Sequence, residues 1–103
     1  MRMIQELENY VTEKREFLNE IGIKVIVKSA EIRPKLFKLY IAAETKENVA
    51  DFTVWDKGSK LPIEADVIVL NVLTGKTTLW RSIQPKQAQE LIDAFDELTE
   101  LLK

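Results

Sequence analysis

Apolar residues recur at helical spacing at the two ends of this chain and at alternate positions through its middle. From Arg2 to Ile21, the residues Ile4, Leu7, Val11, Leu18 and Ile21 stand three, four or seven apart, with Tyr10 and Phe17 beside the stripe; this predicts an amphipathic helix. Gly22 supplies its stop. At the other end Leu91, Ile92, Phe95, Leu98 and Leu102 form a second stripe, with Pro85 suited to a first turn and Ile83 placed to staple against Ala88. Between the helices the period drops to two, and β-branched and aromatic residues become common. Strands are expected over Ile23 to Ile32, Leu36 to Glu44, Val49 to Asp56, Ile63 to Val72 and, as a fifth, Thr77 to Ile83. The connections Arg33-Pro34, 45–48, 57–60 and Thr74-Gly75 are short enough for hairpins and little else. The expected fold is α+β: a two-layer sandwich, its antiparallel four- or five-stranded meander sheet carrying the N- and C-terminal amphipathic helices on one face.

Strand alternation then sorts the side chains. Ile23, Val25 and Val27, then Phe37, Leu39, Ile41 and Ala43, then Ala50, Phe52 and Val54 are expected beneath the helices. Lys24, Ile26, Lys28, Lys38, Tyr40, Asp51, Thr53 and Trp55 are expected on the other side. The fourth strand departs from the rule, because Ile68, Leu70 and Val72 are as apolar as Ala65, Val67 and Val69, which implies cover on both faces. With Trp80 also outward, Tyr40, Trp55, Ile68, Leu70 and Trp80 would gather with Asp51 into a partner-binding patch on the helix-free side. The competing expectation is that neighbours shield Ile68 and Leu70 and that the tryptophans are core.

Composition narrows the chemistry. The 103 residues, 1–103, are expected to form one domain, and 46 % hydrophobic content is ample for its core. There is no cysteine and no histidine, which removes thiolate nucleophiles, disulfides, zinc-thiolate sites and the commonest general base. The acidic N-terminal stretch does not read as a secretory signal, so a soluble cytoplasmic protein is expected. Fifteen basic against seventeen acidic residues offer no footprint for duplex nucleic acid or an anionic membrane. A weak RNA surface with Tyr40, Trp55 and Trp80 stacking bases is opposed by the acidic helices. Glu64 and Asp66, about 7 Å apart on one strand face, have the spacing of an acid–base pair, but carboxylates at a sheet surface are ordinarily solvated charge. Asp51 and Asp56 around Trp55 merit the same reading, and neither pair has the ligand pattern of a calcium loop. Gly58 and Gly75 are isolated turn glycines, not a phosphate cradle. The lysines of the middle segment read as protection of exposed strands. No catalytic residue, cofactor or metal is expected.

The stretch Ala50-Asp51-Phe52-Thr53-Val54-Trp55-Asp56-Lys57-Gly58, followed by Ala65-Asp66-Val67-Ile68-Val69-Leu70-Asn71-Val72 and the turn Leu73-Thr74-Gly75, resembles the TriTu family of bacterial immunity proteins over roughly residues 36 to 103. The resemblance implies a small non-catalytic cytoplasmic protein that binds and neutralises the toxin domain of a polymorphic toxin system, as monomer or homodimer. The acidic helices are expected to speed its docking on a basic toxin. A secretion chaperone and a homodimeric interaction domain are the alternatives; an enzyme working through Glu64 and Asp66 is the rival from another class.

Overall fold

The computed structural model describes residues 2–58 and 61–103. Its elements run α1 (Met3–Glu20), β1 (Lys24–Arg33), β2 (Leu36–Glu44), β3 (Asn48–Asp56), β4 (Glu64–Asn71), β5 (Thr77–Ile83) and α2 (Ala88–Leu102). All five expected strands form, and they pair antiparallel in the order of the chain, so the sheet is an open meander with β1 and β5 at its edges. Part of the expected 57–60 connection, Ser59 and Lys60, lies outside the described residues.

α1 ends as its sequence requires. Gly22 adopts φ 92°, the Gly22 N–H donates to the Asn19 carbonyl, and the Ile23 N–H donates to the Leu18 carbonyl at 2.8 Å. This is a Schellman turn, in which the left-handed glycine satisfies otherwise free carbonyls. Its usual apolar clasp is present too, since Leu18 and Ile23 are both buried. Ile21 is different: placed at the cap, beyond the last helical turn, it is exposed and does not join the stripe.

α2 starts later than its proline suggests. Pro85 is buried two residues before the N-cap, Gln87, so it precedes the helix and does not occupy its first turn. The Glu90 carboxylate reaches back to accept the backbone N–H groups of Gln87, at 2.9 Å, and Lys86. These hydrogen bonds hold the Glu90 carboxyl below the ordinary range and set the helix start. Ile83 then lies too far back to staple against Ala88, which is the first helical residue; Lys86 precedes the cap instead.

Both helices pack on one face. α1 lies on β1, α2 lies on β3 and β4, and the helices touch each other. Leu7, Val11, Leu91, Phe95 and Leu98 close over Val25, Leu39, Ile41, Phe52, Val54, Val67 and Val69 in one core. The inward alternation holds in β2, β3 and β4, with Phe37 half-buried at the strand end; on edge strand β1 it stops after half-buried Val27, and on edge strand β5 Leu79 and Ile83 are half-buried while Arg81 is exposed. The Arg2 guanidinium covers the Phe37 ring at 3.8 Å from its centroid, a cation–π contact at that margin.

A polar bond joins the helices. The Tyr10 hydroxyl donates to Asp96 Oδ1 at 2.7 Å, and the Tyr10 ring meets Phe95 edge to face with centroids 6.3 Å apart. Burial first, and then the bond to Asp96, pushes the Tyr10 hydroxyl up to about 12. A folded-state value above the unfolded one of 10 means that the associated stability is complete below pH 10 and is lost between pH 10 and 12. Tyr10→Phe is expected to lower stability by about 1 kcal/mol at neutral pH, the worth of one hydrogen bond, and to flatten the stability curve over that alkaline window. Urea unfolding of both proteins at a series of pH values measures both effects.

The β1–β2 turn is strained. Pro34 cannot take the positive φ that a primed hairpin turn needs at its first central residue, and Lys35 carries the positive φ instead, at 69°. The turn thus follows the type II pattern, whose second central position is normally glycine. Its twist mismatches the strands, and the pairing shifts register between Glu31 and Arg33. Lys35→Gly is expected to raise stability by about 0.5 kcal/mol, since relief of the left-handed lysine exceeds the added entropy of glycine in the unfolded chain. Thermal melting reads this as a rise of about 2–4 °C.

Candidate functional site: the open face of the sheet

Antiparallel partners share a face, so the strand register lays out the helix-free side in rows. One row runs Ile26, Ala42, Asp51, Ile68 and Trp80 across all five strands. Beside it on one flank lie Lys24, Glu44, Val49, Leu70 and Thr77; on the other lie Lys28, Tyr40, Thr53, Asp66 and Ser82. A last row holds Lys38, Trp55 and Glu64.

All six residues expected at a partner surface, Tyr40, Asp51, Trp55, Ile68, Leu70 and Trp80, do share this face. They do not form one patch. Trp80 is 73 % exposed on edge strand β5, directly opposite Ile68, which is itself exposed. Trp55 is half-buried two rows and two strands away, roughly 17 Å from Trp80 by ordinary strand spacing. The tryptophans therefore belong to different neighbourhoods, and Trp80 is not core.

β4 was expected to be covered on both sides. Helix α2 covers Ala65, Val67 and Val69, but no helix or strand of the described chain lies over Ile68 and Leu70. From Leu70 the apolar strip continues into the turn before β5, where Val72 is exposed and Leu73 is 73 % exposed. Reasoning from alternation missed Leu73 as part of the surface, although the apolar run Val67 to Leu70, resumed after Asn71 by Val72 and Leu73, was its signal.

Three of the face's carboxylates are engaged locally. The Tyr40 hydroxyl donates to Asp51 Oδ1 at 2.6 Å, a bond that, with burial, raises the tyrosine pKa. Ser82 Oγ donates to Asp66 Oδ1 at 2.7 Å, and Lys57 Nζ pairs with Glu64 Oε2 at 2.9 Å. Glu64 and Asp66 thus have separate partners, and neither carboxylate is held in the apolar burial that makes a general acid. Among the described residues no cluster of metal-ligating side chains occurs. No helix among them is long and apolar enough to cross a membrane. The surface thus combines apolar Ile26, Ile68, Leu70 and Trp80 with Asp51 and Asp66, whose carboxylates are oriented by hydrogen bonds from Tyr40 and Ser82.

A five-stranded antiparallel sheet with two helices on one face and an uncovered, partly apolar opposite face defines a small open-faced α+β sandwich. The family model for Immunity protein TriTu matches residues 5–101, and the chain belongs to this family of immunity proteins. The match takes in α1 and β1 as well as the stretch from 36 onward that carried the resemblance. No curated protein and no solved structure matches the chain.

Proposed function

We propose that this protein binds and neutralises a cognate toxin domain in the bacterial cytoplasm, without catalysis of its own, and that it does so through the open face of the sheet. Membership of the immunity-protein family supports the toxin as partner. The observation that carries the choice of surface is β4, which is apolar on both sides but covered on one, with Trp80 standing exposed beside its open side. An exposed indole next to Ile68 is the kind of anchor that dominates binding energy, and Leu70 and Leu73 extend the apolar contact around it. Asp51 and Asp66, held by Tyr40 and Ser82, add oriented acceptors that fix register with little loss of side-chain freedom.

The reading is tested by purifying the tagged protein from its own cells, identifying a stoichiometric partner by mass, and expressing that partner with and without this chain. Growth arrest that this chain relieves supports immunity. A harmless, exported partner points to a secretion chaperone, and recovery of a second copy alone points to self-association; either result would sink the proposal.

A further inference from the structure

Beyond Trp55, at the end of the open face, the β1–β2 turn meets Lys57 and Leu61 around a hollow. Apolar Leu36, Trp55 and Leu61 line it together with Arg33, Lys35 and Lys57, and among the described residues no carboxylate does. Lys57 is paired with Glu64, whereas Arg33 and Lys35 are exposed and make no ion pair among the described residues. The pattern is not the scatter of lysines that protects an edge strand. Lys35 occupies the turn position that favours glycine, so its charge is held at the hollow at a cost in backbone strain.

From this geometry, and resting on the toxin-binding reading above, we propose that the hollow receives an acidic peptide segment of the toxin partner, an apolar side chain against Trp55 and its neighbouring carboxylate between Arg33 and Lys35. Charge complementarity selects the occupant, since the two unpaired cations stand beside an apolar lining. A nucleic-acid strand is disfavoured by what surrounds the hollow: Glu64, Asp66 and Asp51 follow across the same face and would repel a continuous run of phosphates. A peptide needs to bring only one or two charges to the hollow. The contact adds a second anchor at the opposite end of the face from Trp80, so one partner surface is held at two separated points.

The test uses the partner domain recovered with this chain and the double variant Arg33→Ser, Lys35→Gly. Both sites are exposed and glycine suits the turn, so circular dichroism should match the parent. The double variant is expected to bind the partner about tenfold more weakly at low salt, the deficit shrinking as salt rises. Carbodiimide treatment of the parent complex is expected to couple Lys35 to a partner Asp or Glu that lies within two positions of an apolar residue. Unchanged affinity in the double variant together with an uncoupled Lys35 overturns the proposal, and so does displacement of the partner by single-stranded oligothymidine. If Trp80→Ala still weakens binding in that case, the open-face reading survives without the hollow; if neither variant matters, both fall.

Discussion

Trp80→Ala is expected to weaken partner binding by about 2 kcal/mol or more, roughly thirty-fold, with no measurable change in thermal stability. The two halves of this expectation have one cause. Trp80 is 73 % exposed on an edge strand, so the folded chain derives little packing from it, and its truncation opens no cavity. On binding, the same ring would pass from water into contact, next to Ile68 across the strand pair. Isothermal titration of the purified partner with parent and variant, beside melts of both, measures the two quantities. A variant that binds as the parent does removes Trp80 from the interface. A variant that melts many degrees lower places the ring in the fold's own packing.

Phe52→Ala is expected to do the reverse and to do it severely. Phe52 lies at the middle of the central strand β3, paired with Ile41 on one side and Val67 on the other, and is wholly enclosed beneath the helices. Truncating such a ring costs about 3–5 kcal/mol, the lost transfer energy plus the cavity left behind. A domain of this size has a total stability of about 5–15 kcal/mol, so the variant stands near the edge of folding. Urea unfolding should show the midpoint falling sharply with the slope little altered. Loss of less than about 1 kcal/mol would mean that α2 collapses onto the gap far more readily than packed helices usually do.

Trp80 and Phe52 also show why much of this fold was legible in the sequence. In β3, Ala50, Phe52 and Val54 alternate with Asp51, Thr53 and Trp55, and a period of two on a half-buried strand has only one consistent placement. The same pattern, repeated with short connections, leaves an antiparallel meander as the natural solution. The start of α2 was less legible because it depends on Glu90 folding back onto two backbone N–H groups, a choice that Pro85 disguises. The bond from Tyr10 to Asp96 joins residues 86 apart and leaves no periodic trace. At the candidate site, alternation put six residues together on the helix-free face but could not say which were close. That is a matter of register, and register placed Trp55 two rows from Trp80 and brought it instead to the hollow at the β1–β2 turn.

The layered arrangement has an electrical consequence. α1 and α2 together carry ten carboxylates against two cations, Lys14 and Arg15, while the rest of the chain, sheet and turns, holds thirteen cations against seven carboxylates. The net charge of −2 thus sits with the helices, whereas the open face holds Lys24, Lys28 and Lys38 against Glu44, Asp51, Glu64 and Asp66 and is close to balance. The acidic helices, expected to guide a basic partner, lie on the side away from Trp80. A cationic protein drawn to them by long-range attraction meets the wrong side of the plate and must turn it over. The partner that approaches the open face directly is one whose own docking surface carries both signs in near balance, whatever the sign of its total charge.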